Sequence, residues 1–89
     1  MIERELEVSN RLGLHARAAA KLVHLAGRFE SDVKLVVSGE EVDGKSILGI
    51  LLLAAGQGTR LTVRCSGSDE DSALEAVTEL FADRFQEDG

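Results

Sequence analysis

Apolar and polar residues alternate along the first few positions of the chain. Ile2, Leu6 and Val8 share one parity while Glu3, Glu5 and Glu7 hold the other, which predicts a half-buried strand over residues 2 to 8. A loop from Ser9 to Leu14 follows, with Gly13 as a breaker. From Ala16 the pattern changes period: Ala19, Leu22, Val23 and Ala26 recur at helical spacing, and Gly27 marks the stop. Phe29 is placed to close that end of the core. Val33, Leu35 and Val37 then alternate with Asp32 and Lys34, Ser38-Gly39 supplies a two-residue turn, and Glu40 to Asp43 forms the returning strand of a hairpin. A short second helix precedes the Gly56-Gln57-Gly58 loop, and Arg60 to Ser66 alternates again with Leu61, Val63 and Cys65 inward. Ser68 to Asp71 has capping-box spacing and an acidic first turn. Leu74, Val77, Phe81 and Phe85 supply the apolar stripe of a third helix, which closes on an acidic tail.

Strand, helix, strand, strand, helix, strand, helix is an α+β order, with helices expected on one face of an antiparallel sheet. Periodicity leaves the strand order open, and a ferredoxin-like sheet fits the same string. A chain of 89 residues, 44% of them hydrophobic, can build one small core, so residues 1–89 are read as one domain without linker, repeat or proline.

Charge and composition exclude several classes of partner. The formal net charge is -6 and the only aromatics are three Phe, which leaves neither a basic surface nor a stacking platform for nucleic acid. No basic segment leads into an apolar core and no apolar run is long enough to cross a bilayer, so the expectation is a cytoplasmic protein without membrane insertion. Cys65 has no second cysteine to pair with, and its place in an alternating strand fits a small buried hydrophobe.

The residue that stands out chemically is His15, at the mouth of the first helix. The first N–H groups of a helix lack partners within it and carry the positive end of its dipole, so an anion attached to His15 would meet ready donors. Arg17 adds a fixed positive charge close by. A neutral imidazole with one unprotonated nitrogen is a nucleophile toward phosphorus, so His15 is read as the carrier of a phosphoryl group. His24 lies on a different side of the helix from His15, and no other Cys or His completes a metal site.

Gly13-Leu14-His15-Ala16-Arg17 followed by small residues resembles the active-site motif of the HPr family, the histidine-containing phosphocarriers of the bacterial phosphotransferase system. Asp43-Gly44-Lys45-Ser46-Ile47-Leu48-Gly49-Ile50 resembles that family's regulatory-serine segment at the matching position, and the resemblance covers essentially the whole chain. It implies an open-faced β-sandwich with strand order 1-4-2-3 and three helices on one face. It implies a phosphoryl group received on His15 from phospho-enzyme I and passed to enzyme II A components, the protein acting as a covalent intermediate and not as a stand-alone enzyme, with no cofactor. The backbone N–H groups of Ala16 and Arg17, with the Arg17 guanidinium, are the expected ligands of the phosphoryl oxygens. One departure falls inside the motif: the family usually has proline where this chain has Ala18, which adds back one N–H and gives up some stiffness of the first turn.

Two surfaces are expected to meet partners. Arg17, Lys21, His24 and Arg28 fall on one stripe of the first helix, and Ala20, Lys21 and His24 are read as contacts for an acidic partner. The second helix is apolar nearly all round, so Ile47, Leu48 and Leu51 are left to dock partner proteins of a monomer. Ser46 reads as an N-cap, and its match to the regulatory serine implies phosphorylation by HPr kinase/phosphorylase. Two other readings share part of this pattern: a regulatory paralogue of the nitrogen-related branch that signals by phosphorylation state, and an α+β module that binds anions at the helix mouth without a covalent adduct.

Overall fold

The computed structural model describes residues 1–87. Its elements follow the order β1 (Ile2–Glu7), α1 (Ala16–Ala26), β2 (Asp32–Val37), β3 (Glu40–Asp43), α2 (Ile47–Leu52), β4 (Arg60–Ser66) and α3 (Glu70–Ala82), then a one-turn segment, Arg84–Gln86. The strands form one antiparallel sheet in the order β1-β4-β2-β3. Its register sets Leu6 opposite Leu61, Leu35 opposite Val63 and Val33 opposite Cys65, so the apolar parity of each strand arrives on one face. Val33, Leu35, Leu61, Val63 and Cys65 are buried there beneath Ala18, Ala19, Leu22 and Ala26 of α1 and Ala73, Leu74, Val77 and Phe81 of α3. The opposite face is polar: Arg64 pairs with Glu3 at 2.8 Å and Glu41 at 3.2 Å, tying β4 to β1 and β3.

Local chemistry accounts for most element ends. Ser38 and Gly39 take φ of 50° and 84°, the left-handed pair that a two-residue hairpin requires. β1 ends one residue short of the expected span, yet Val8 stays fully buried and bonds to Thr59 and Gly58 through its backbone.

Two expectations about α3 are corrected. Ser68 to Asp71 does not form a capping box, because the Asp69 carboxylate turns away from its own helix. It accepts from the backbone N–H of Glu30 at 3.0 Å and Ser31 at 2.9 Å, and from the Ser31 hydroxyl at 2.5 Å. The Ser31 hydroxyl and these amides hold Asp69 below the usual carboxylate range against the opposing effect of desolvation. Asp69 therefore pins the entry to β2 onto the entry to α3. The second correction concerns Phe85. The helix stops at Ala82, and Arg84, Phe85 and Gln86 run left-handed with φ of 52°, 55° and 62°. Phe85 still enters the core, its ring centroid 4.8 Å from that of Phe81. Of the acidic tail, Asp88 lies outside the described residues.

Candidate functional site

His15 is the N-cap residue of α1. Its backbone is extended (φ -82°, ψ -178°), and its Nδ1 accepts the Arg17 backbone N–H at 3.2 Å. An imidazole thereby fills the place that a serine or aspartate oxygen usually takes at a helix start. The other ring nitrogen, Nε2, lies 2.5 Å from Oε2 of Glu87. The two nitrogens thus face opposite chemistry, backbone donors on one side and a carboxylate on the other. In the neutral ring this arrangement selects one tautomer: Nε2 carries the hydrogen that it donates to Glu87, and Nδ1 keeps the lone pair.

The loop before the helix is built to deliver this ring. Gly13 takes φ of +71°, and a Cβ there would lie 2.6 Å from the carbonyl oxygen of Ala55 and 2.8 Å from Cα of Gly56. The close approach lets Leu14 donate its N–H to Ala55 at 2.8 Å, while Asn10 donates from Nδ2 to the Gly13 carbonyl at 2.7 Å. Gly13→Ala is expected to destabilise the protein by about 2 kcal/mol, from left-handed strain and the backbone clash together. A urea titration checks this, and a shift under about 0.5 kcal/mol, ordinary for a tolerated surface change, would count against the close approach.

Ala16, Arg17 and Ala18 precede the first intrahelical bond, which runs from Ala19 N–H to the His15 carbonyl at 2.8 Å. Their N–H groups point out of the helix start. Alanine at 18 keeps an N–H that proline would remove, but the residue is fully buried and does not line the cleft. In front of these groups opens a cleft of about 930 Å³ lined by Arg11, Arg17 and Lys21 as well as by His15, Gln86 and Glu87. Its cations and helix donors suit a tetrahedral dianion.

The expected basic stripe is modified. Arg17, Ala20, His24 and Arg28 are exposed, but Arg28 lies beyond the end of α1. Lys21 is half-buried with Nζ on the Phe85 carbonyl at 2.6 Å, so its amine braces the C-terminal segment. On α2, Ser46 caps the helix by accepting the Gly49 N–H at 3.1 Å. Ile50 is buried beneath that helix, whereas Ile47, Leu48 and Leu51 are exposed as expected. The exposed apolar set also includes Leu52 at 69% and Leu12 at 68%. Among the described residues no group of three His, Cys, Asp or Glu could hold a metal ion, and no helix is long and apolar enough to cross a membrane.

Glu87 is the site residue that sequence reasoning missed. It arrives from 72 positions away, with Oε2 on His15 and Oε1 accepting from Asn10 Nδ2 at 3.1 Å. Burial opposes its ionisation, but hydrogen bonds from His15 and Asn10 and the nearby positive charge outweigh burial and hold it below the usual carboxylate range. Its only sequence signal was membership of an acidic tail.

Comparison with known proteins agrees with this geometry. Residues 2–83 match the family model described as the PTS HPr component phosphorylation site. The chain is 54% identical over 88 residues to the phosphocarrier protein HPr of Xylella fastidiosa (strain Temecula1), covering 99% of each chain. It is 49% identical over 87 residues to that of Cupriavidus necator, covering 98% of each. Its fold is similar to the crystal structure of HPr-C-His from Thermoanaerobacter tengcongensis, with a TM-score of 0.96, 36% identity and full coverage of both chains. The fold and these matches define the class of small α+β phosphocarriers. The chain belongs to the HPr family.

Proposed function

We propose that His15 accepts a phosphoryl group from phospho-enzyme I of the bacterial phosphotransferase system and passes it to enzyme II A components. The observation that carries this reading is the division of the ring's surroundings, with Nδ1 open to the donors of the α1 N-terminus and Nε2 held by a carboxylate. The Nδ1 lone pair attacks phosphorus in line, the P–N bond of the donor phosphohistidine breaks, and its electron pair returns to the donor nitrogen. Each ring keeps the proton on its other nitrogen. Transfer onward is the same step in reverse, with His15 as leaving group, so positioning and charge stabilisation carry the reaction.

The transferring group spreads charge over its equatorial oxygens. The N–H groups of Ala16 and Arg17 and the Arg17 guanidinium are the groups that receive them. Arg17→Ala is expected to slow transfer by roughly 10–100-fold, the range for one lost charge-assisted hydrogen bond, while His15 still loads to completion. Quench-flow kinetics with phospho-enzyme I check this, and an unchanged rate would remove Arg17 from the site.

The exposed Ile47, Leu48 and Leu51 of α2, together with Ala20 and His24 of α1, are read as the surface that partners cover. Ser46, at the edge of that patch, is the candidate site for HPr kinase/phosphorylase. A phosphate there suits the helix start yet sets negative charge beside the docking face, which would inhibit acidic partners without unfolding the protein. A cytoplasmic location follows from this reading of the partners.

The deciding test is incubation with phosphoenolpyruvate and a bacterial enzyme I, followed by intact mass at neutral and acid pH. One phosphoryl adduct, lost in acid, is the expected result. Absence of an adduct on both the wild type and Ala18→Pro would favour a site that binds anions without a covalent bond.

A further inference from the structure

The segment that follows α3 is held in an unusual way. After α3, three consecutive residues with side chains adopt left-handed backbone, which is strained for residues other than glycine. Burial of the Phe85 ring and the bond from Lys21 Nζ to the Phe85 carbonyl hold this turn in place. Its result is to bring Glu87 onto the His15 ring. Strained backbone of this kind is concentrated where structure serves a site.

The carboxylate is oriented as well as delivered. Fully buried Asn10 gives one amide hydrogen to the Gly13 carbonyl and one to Oε1 of Glu87, which leaves Oε2 for His15. A flipped amide would set Oδ1 against two acceptors, so the Asn10 orientation is fixed by its partners. One side chain thus braces both the loop that sets the ring and the carboxylate that touches it.

We propose that Glu87 is a positioning residue for phosphoryl transfer, holding His15 as the Nε2–H tautomer so that the Nδ1 lone pair faces the incoming phosphorus. This role presupposes that His15 is the acceptor. As the Nδ1–P bond forms and the donor P–N bond breaks, the ring of His15 gains positive charge while retaining its Nε2 proton. The Glu87 carboxylate, already hydrogen-bonded to that proton, balances the charge and neither forms nor breaks a covalent bond. Because Nδ1 and Nε2 lie on opposite sides of the ring, the carboxylate and the phosphoryl oxygens are kept apart. Removing the carboxylate leaves only the Arg17 N–H to favour the Nε2–H tautomer, so the Nδ1–H form, which cannot attack, gains population.

The test uses Glu87→Ala and Glu87→Gln in the full chain. Nitrogen-15 NMR of the neutral ring reads the tautomer, and transfer from phospho-enzyme I reads kcat and KM separately. The wild type should show a protonated Nε2 and an unprotonated Nδ1. Both variants should show mixed tautomers and a kcat lower by about tenfold, with KM unchanged and the backbone amide spectrum of the sheet preserved. Glutamine should not rescue, because its amide offers a donor where Asn10 or His15 also donates. A purely structural tether would alter stability and leave the tautomer alone. A wild type that is phosphorylated, paired with variants that keep either its kcat or its tautomer, would overturn the role of Glu87. A wild type that takes no phosphoryl group would instead overturn the carrier reading on which this role rests.

Discussion

His15→Ala will carry no acid-labile phosphate after incubation with phosphoenolpyruvate and enzyme I, under conditions that load the wild type fully. The expectation follows from how little of the site is duplicated. His24, the other histidine, lies exposed near the end of α1, away from the N–H groups and the cation-lined cleft at its start. A phosphoryl group there would meet the negative end of the helix dipole. The variant should remain folded, because the half-buried imidazole contributes a cap and a hydrogen bond to Glu87 and no core volume. Loss of an N-cap costs about 1 kcal/mol, which for a domain of this size lowers Tm by roughly 4–8 °C. Intact mass and a thermal scan on the same sample therefore separate lost chemistry from lost structure. An adduct of equal acid lability on His15→Ala would move the acceptor to another residue.

The parts of this molecule that were legible in the sequence are those set by neighbours in the chain. Alternation placed the inward residues of β1, β2 and β4, the Ser38-Gly39 pair marked the hairpin, and His15 was found at the N-cap from a helical period beginning one residue later. Strand order was not legible that way, since the same alternation is compatible with other pairings. It came from the resemblance to HPr, and the sheet has that order. The misreadings are long-range. Ser68 to Asp71 had the local spacing of a cap, but the Asp69 carboxylate gained more from the amides and hydroxyl of residues 30 and 31 than from its own helix. Phe85 fell on the helical stripe of α3 by period and is buried as expected. It gets there by a left-handed turn, and no periodicity encodes such a turn in residues other than glycine. Glu87 depends on that turn, so the missed site residue and the misplaced helix end have the same cause.

Phe85→Ala is the change that tests this dependence most directly, and it should have the largest effect on stability of any single substitution near the site. The ring is fully buried and contacts Phe81. Its removal is expected to cost about 3–5 kcal/mol in lost burial and residual cavity, a large part of the roughly 5–15 kcal/mol that holds a domain together. The expected Tm falls by roughly 20 °C, and the urea midpoint falls with an unchanged slope. The ring also anchors the left-handed turn, so without it the Lys21 contact with the Phe85 carbonyl and the Glu87 contact with His15 lose their support. At a temperature where the variant is still folded, its kcat for phosphoryl transfer should therefore fall to that of Glu87→Ala, and a Phe85→Ala/Glu87→Ala double variant should be no slower than either alone. Multiplying rate losses would show that the ring and the carboxylate act separately. A stability loss under about 1 kcal/mol, too small for an emptied core position, would show that the segment does not dock through Phe85.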